Sequence, residues 1–233
     1  MRTILVVNAK GGSGKTTITT NLAGYLANLG RSVVIQDYDA QGSSTEWLAH
    51  RSYQLNQIHG QELYKTGSQY LTRAFEFRLP TNTQHVIVDT PAALDLQRNV
   101  GVFRKADKII IPLSPSSIEV RATLSFIEQL KKFLKLYSCT TDIAIVANKT
   151  DAQSAVYKLM LQKFDAAGLK IITQLSQHDQ YFIAAETGAS IFELENPMLA
   201  KDKLEWAPLL NWVDESNLES TGSHSSNLYA VVE

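Results

Sequence analysis

Two lysines, Lys10 and Lys15, bracket three glycines in the run Asn8-Ala9-Lys10-Gly11-Gly12-Ser13-Gly14-Lys15-Thr16-Thr17, a combination suited to polyphosphate. Anionic oxygens need backbone N–H donors at close range, and Gly11, Gly12 and Gly14 carry no side chain to hold them off. Ser13 and Thr17 complete the cradle, Lys15 is placed to reach the β- and γ-phosphates, and the Thr16 hydroxyl to ligate Mg²⁺. Three carboxylates fit the same chemistry: Asp37 and Asp39 in Asp37-Tyr38-Asp39-Ala40-Gln41-Gly42, and Asp89 in His85-Val86-Ile87-Val88-Asp89-Thr90-Pro91-Ala92. Asp89 is suited to hold Mg²⁺ through a bound water, because that ion keeps part of its hydration shell. Asp37 is expected as an outer partner of the metal, and Asp39 as the better candidate to orient an attacking water.

These groups need elements to position them. Thr3 to Val7 is a short apolar run typical of a buried parallel strand, and Thr16 to Leu29 follows with helical spacing at Ile18, Leu22, Tyr25, Leu26 and Leu29. The loop therefore opens a helix, whose unpaired N–H groups and dipole favour bound phosphate. Further strands are expected at 31–36, 85–88, 107–113, 142–148 and 170–173, with helices at 117–137, 153–167 and 198–213. Trp206, Leu209, Leu210 and Val213 form the buried face of the last helix. This alternation predicts an α/β fold, a doubly wound and mostly parallel twisted sheet with helices on both faces. The polar stretch 47–84 shows breaks at His59-Gly60 and Thr66-Gly67-Ser68, and a helix is expected there only over 69–77. Ligands of such sheets gather at the carboxyl ends of strands, so Asn8, Asp37 and Asp89 would frame one Mg-nucleotide site.

The common pattern G-x-x-x-x-G-K-S/T would need glycine at position 9, where Ala9 stands; the deviant form K-G-G-x-G-K-S/T is met, with Lys10 as its extra lysine. With the Asp37 segment and the Asp89 strand added, the chain resembles the ParA/MinD family of deviant Walker A ATPases, and the short ParA type in particular. The resemblance implies a P-loop NTPase with ATP and Mg²⁺ as cofactors. It assigns to Asp39 the orienting of water, and to Lys10 a reach across an ATP-dependent homodimer to the partner's nucleotide. Asn148, at the start of Asn148-Lys149-Thr150-Asp151, would face the adenine. The same tetrapeptide matches the N-K-x-D guanine-reading pattern of small GTPases, and the deviant loop favours ATP. The ATP dimer of such proteins binds DNA non-specifically and positions a plasmid, chromosome or protein compartment. A ParB-like or cargo-adaptor partner stimulates hydrolysis. Two departures stand out: Ala40 where the family commonly has proline, and no arginine within Leu175 to Tyr181, where Gln177 and His178 stand instead. His178 is expected to cap the following helix.

Composition narrows the remaining choices. The 233 residues, 44% of them hydrophobic, suffice for a single domain over 1–214, with a Ser/Gly-rich tail over 215–233 expected to stay disordered. The lone Cys139 excludes an intrachain disulfide, reads as a small buried apolar residue, and argues against relatives that hold metals with paired cysteines. No signal peptide and no transmembrane run is visible, which leads to the expectation of a cytoplasmic, nucleoid-associated protein. A formal net charge of −1 imposes no basic field, so a nucleic-acid surface would rest on local cations: Arg121, Lys131, Lys132, Lys135, Lys158, Lys163 and Lys170. Neither a basic membrane-anchoring helix at the end nor a helix-turn-helix domain ahead of residue 3 is expected. A MinD-like membrane-surface ATPase and a small-metabolite kinase or ligase remain the alternative readings.

Overall fold

The computed structural model describes residues 1–64 and 78–215. In chain order the elements are β1 (Arg2–Val6), α1 (Lys15–Asn28), β2 (Val33–Asp37), α2 (Ser43–His50), β3 (His59–Glu62), β4 (His85–Asp89), α3 (Val100–Lys105), β5 (Lys108–Leu113), α4 (Ser117–Leu136), β6 (Asp142–Thr150), α5 (Ala155–Ala166), β7 (Ile171–Ser176), α6 (Asp179–Glu186), α7 (Ala200–Glu205) and α8 (Ala207–Asp214). The seven strands form one sheet in the order β3-β2-β4-β1-β5-β6-β7, with every pairing parallel. From β1 the chain crosses to one side, and from β4 it returns past β1 to the other, so the reversal falls at the end of β1, where the glycine-rich loop leaves the sheet.

Alternation along the strands divides the core in two. Ile4, Val6, Ile35, Ile87, Ile110 and Val146 face a cluster shared with α1, α2, α6 and α8. Leu5, Val34, Val88, Ile109, Ile111 and Ile145 face one shared with α3, α4 and α5. Strands buried on both faces read as unbroken apolar runs, which is why their sequence shows no polar face. Local caps set the helix starts: Ser116 accepts from Glu119 N at 3.1 Å, Ser154 from Tyr157 N at 3.2 Å, and His178 Nδ1 from Gln180 N at 3.3 Å. The last is the capping role expected of His178.

Three expectations need correction. The stretch after Trp47 is not a simple break: α2 ends at His50, and His59-Gly60 begins the edge strand β3. Gly60 is there for closeness, since a Cβ on it would lie 2.7 Å from Leu48 Cδ1 of α2. The single terminal helix is a 3₁₀ turn at Pro197–Leu199 followed by α7 and α8, divided at Trp206 because Pro208 can donate no backbone hydrogen bond. Cys139 is half-buried rather than buried. The expected helix over 69–77, and the tail from residue 216 onward, lie outside the described residues. Trp206, Leu209, Leu210 and Val213 are buried as expected. Arg2 and Lys108 donate to the carbonyls of Val213 and Trp212 at the C-terminal end of α8, where the helix dipole favours cations. Among the described residues no helix is long and apolar enough to cross a membrane.

Candidate nucleotide site

Gly14 fixes the geometry of the loop. Its φ of +91° is left-handed backbone that caps α1, and a Cβ on it would come within 1.9 Å of Asn148 Nδ2. Gly12 also has positive φ, at +78°. The loop is closed on itself around one carbonyl: Lys10 O accepts from Lys15 Nζ at 3.2 Å and from Ser13 Oγ at 3.3 Å. Lys15 is buried whereas Lys10 and Gly11 are exposed, and Thr16 and Thr17 start the helix half-buried. Burial lowers the Lys15 pKa, opposed by the charges of Asp89, Asp39 and Glu119, in that order. The first helical turn thus presents its free N–H groups and a lysine to one spot.

The second wall of the site is the tetrapeptide Asn148-Lys149-Thr150-Asp151 at the carboxyl end of β6. Asn148 Nδ2 donates to Ser13 O at 3.0 Å and Lys149 Nζ to Gly12 O at 3.1 Å, so two successive side chains fasten the loop. Lys149 reaches it from a left-handed φ of +54°. Asp151 is turned to other work, its Oδ1 accepting from Gln153 N at 2.9 Å ahead of α5. Asn8 ties β1 to its neighbours, donating to Pro112 O at 2.7 Å and to Thr123 Oγ1 at 3.1 Å.

The carboxylates differ in how they are engaged. Asp37 and Asp89 are register partners at the ends of β2 and β4. Asp37 is held by the chain through both oxygens: Oδ1 accepts from Asp39 N at 3.0 Å, while Oδ2 accepts from Thr45 N at 3.1 Å and Thr45 Oγ1 at 2.9 Å. It therefore caps α2 from a distance, because Gly42 at the N-cap has no side chain to offer. Both of its oxygens therefore already accept hydrogen bonds from the chain. Asp39 is half-exposed, with Oδ1 accepting from Gln41 N at 3.0 Å. Asp89 is buried with neither oxygen hydrogen-bonded among the described residues. Burial first, and then the charge of Asp37, push its pKa up to about 7, against the pull of the Thr16 and Ser44 hydroxyls and of Lys15.

An unpaired buried carboxylate beside a threonine hydroxyl is a hard oxygen set of the kind Mg²⁺ takes, with the balance of its ligands drawn from phosphate and water. Among the described residues no cluster of three His, Cys, Asp or Glu could hold a metal ion alone. These residues fit magnesium, which Thr16 would ligate and Asp89 would hold through water. Sequence reasoning missed Ser44, Thr45 and Lys149. A run of hydroxyl residues directly after Gly42 is a helix-start signal that would have placed the first two at the site.

The sequence over residues 4–191 matches the family described as the CobQ/CobB/MinD/ParA nucleotide binding domain. The chain is 30% identical over 194 residues to the maintenance of carboxysome distribution protein A of Halothiobacillus neapolitanus, which spans 82% of this chain and 87% of that protein. Among solved structures, an ATP complex of Cyanothece McdA superposes with a TM-score of 0.69 at 21% identity, over 90% of this chain and 96% of that one. MinD of Aquifex aeolicus superposes at 0.68 and 17% identity, over 93% and 98%. At these identities the two structures speak for the fold, and the parallel sheet with its loop at the end of β1 is the fold they share. The chain belongs to the CobQ/CobB/MinD/ParA family of nucleotide-binding domains.

Proposed function

We propose that this chain is a Mg²⁺-dependent ATP hydrolase of the ParA type. Its ATP-bound homodimer binds DNA without sequence preference, positions a cargo, and is dissolved by partner-stimulated hydrolysis. The observation that carries this reading is the pair of lysines on one loop, Lys15 buried and Lys10 exposed. One lysine serves the chain's own phosphates, and the other is free to reach a neighbour's. Similarity to a carboxysome distribution protein makes a protein compartment the first cargo to test.

Phosphoryl transfer asks for positioning and charge neutralisation more than for covalent help, and a cation added at the γ-phosphate is worth about 10³–10⁵ in rate. Magnesium supplies charge neutralisation at the phosphates when bound. The loop N–H groups and Lys15 hold the phosphates, and Thr16 with Asp89 hold the ion. Asp39 orients water with the carboxylate oxygen that Gln41 N does not occupy, Lys10 of each copy completes the other's site, and Asn148 contacts the base. For DNA, the exposed cations are Arg121, Lys132 and Lys135 on α4, Lys158 on α5 and Lys170 before β7. Insertion of α8 into a membrane is disfavoured by its packing, since Leu209, Leu210, Trp212 and Val213 are buried.

Co-sedimentation with DNA and with anionic liposomes, in ATP, ADP and no nucleotide, tests the reading beside a phosphate-release assay. Retention on DNA in ATP alone, weakening steeply with salt, is expected. Lys15→Ala, which loses the phosphate lysine, should be retained on neither surface. Retention on lipid would transfer the protein to the membrane branch. Turnover that appears only on a small metabolite would overturn both.

A further inference from the structure

Ser44 is fully buried in the first turn of α2, and among the described residues its Oγ has no hydrogen-bond partner. Both oxygens of Asp89 share that condition. The chain brings the two residues together from independent directions. Asp37 lies opposite Asp89 in the register of β2 and β4, and its Oδ2 fastens Thr45 above that point. Ser44 precedes Thr45, about 100° around the helix, and its hydroxyl lies close enough to the Asp89 carboxyl to favour its charged form, as the Thr16 hydroxyl does.

A buried hydroxyl left without a full hydrogen bond costs about 1–3 kcal/mol, and the pull of Ser44 on the Asp89 charge offsets only part of that. An ionised carboxylate can only accept, whereas a serine or threonine hydroxyl can donate or accept. A hydrated divalent cation matches all three groups: the ion takes the threonine oxygen, and its water protons go to the carboxylate and to the serine. We infer that Ser44 is a further residue of the metal site, its hydroxyl accepting from a magnesium-bound water alongside Asp89. The inference rests on the Mg-nucleotide reading above. It also gives the segment from Asp37 to Thr45 two anchors, one at Asp37 and one at the loaded metal, with Asp39 held between them. Ser44 thereby makes the order of the water-orienting loop depend on metal occupancy.

The test uses the full chain and a fluorescent ADP analogue, with affinity measured in Mg²⁺ and in EDTA. Ser44→Ala should keep the metal-free affinity within about twofold and lose about tenfold of the gain that Mg²⁺ confers, as removal of an outer metal partner does. Its metal-free melting temperature should stay close to that of the unmodified chain, which separates the effect from misfolding. In amide hydrogen exchange, Mg·ADP should protect residues 37–45 in the unmodified chain and protect them less in Ser44→Ala. Equal Mg²⁺ gains in the two proteins would overturn the role of Ser44 and leave the nucleotide reading standing. If the unmodified chain itself gained nothing from Mg²⁺, the metal-nucleotide reading would fall, and this inference with it.

Discussion

Asp89 carries the main electrostatic tension of the site. In the free chain its pKa of about 7 stands well above the ordinary 3.8, so keeping it charged in the folded state opposes stability. The sign follows from proton binding. Between the unfolded and folded pKa values the native state holds the extra proton, so stability falls as pH rises from about 4 to about 7 and levels off above. Asp89→Asn cannot ionise there. Between about pH 5 and about pH 8 its melting temperature, recorded without metal, should fall less than that of the unmodified chain. Magnesium favours the charged carboxylate, so the Mg²⁺-dependent gain in ADP affinity should rise over the same range in the unmodified chain and stay flat and small in the variant. Lys15 is tuned the other way, since burial weakens its hold on its proton until three acidic neighbours oppose it. That Asp37 and Asp89 come together is readable from their places at strand ends. Their division of labour is not, because the hydrogen bonds that occupy Asp37 and pass over Asp89 depend on where α2 comes to rest.

At the scale of elements, α2 is held at its start by a residue outside it. Asp37→Ala removes the acceptor for Thr45 N, Thr45 Oγ1 and Asp39 N together. Urea unfolding should show a loss of about 1–3 kcal/mol, because three part-buried donors lose their acceptor together. Thr45→Val keeps the backbone donor and should lose less. The loop before α1 is constrained by contact instead: Gly14→Ala would drive a methyl group into Asn148 and force left-handed backbone on alanine. It should abolish binding of the fluorescent ADP analogue while the chain remains folded by circular dichroism. Helices α4 and α5 could be read from apolar spacing because each lays one stripe on the sheet; α1 is buried over most of its surface, and its apolar residues still recur at helical spacing. The strand β3 could not, since its His59-Gly60-Gln61-Glu62 lies at an edge with neither face well buried. The break between α7 and α8 was written in Pro208, but the same apolar spacing runs through it and hides it.

For the whole molecule, the proposed dimerisation switch rests on one buried and one exposed lysine, Lys15 and Lys10. Asp39→Ala should bind ATP and stay dimeric in size-exclusion chromatography with light scattering, because assembly proceeds and hydrolysis does not. A monomer in saturating ATP would sink the scheme, and adding Lys10→Ala should return the trapped dimer to monomer. The sequence by itself determined the phosphate loop, the buried strands and the family. Glycines at fixed spacing, a lysine-threonine pair and apolar runs are local features whose chemistry needs no partner. Only the tertiary structure decided that Lys149 joins Asn148 in clamping the loop, that Asp37 is consumed as a cap, and that Ser44 and Asp89 meet with their oxygens unpaired. Those facts depend on the parallel register of β2 with β4 and on crossovers that bring residues far apart in the chain to one end of the sheet. Spacing along a chain reports what a side chain can do, and packing settles which neighbours claim it first.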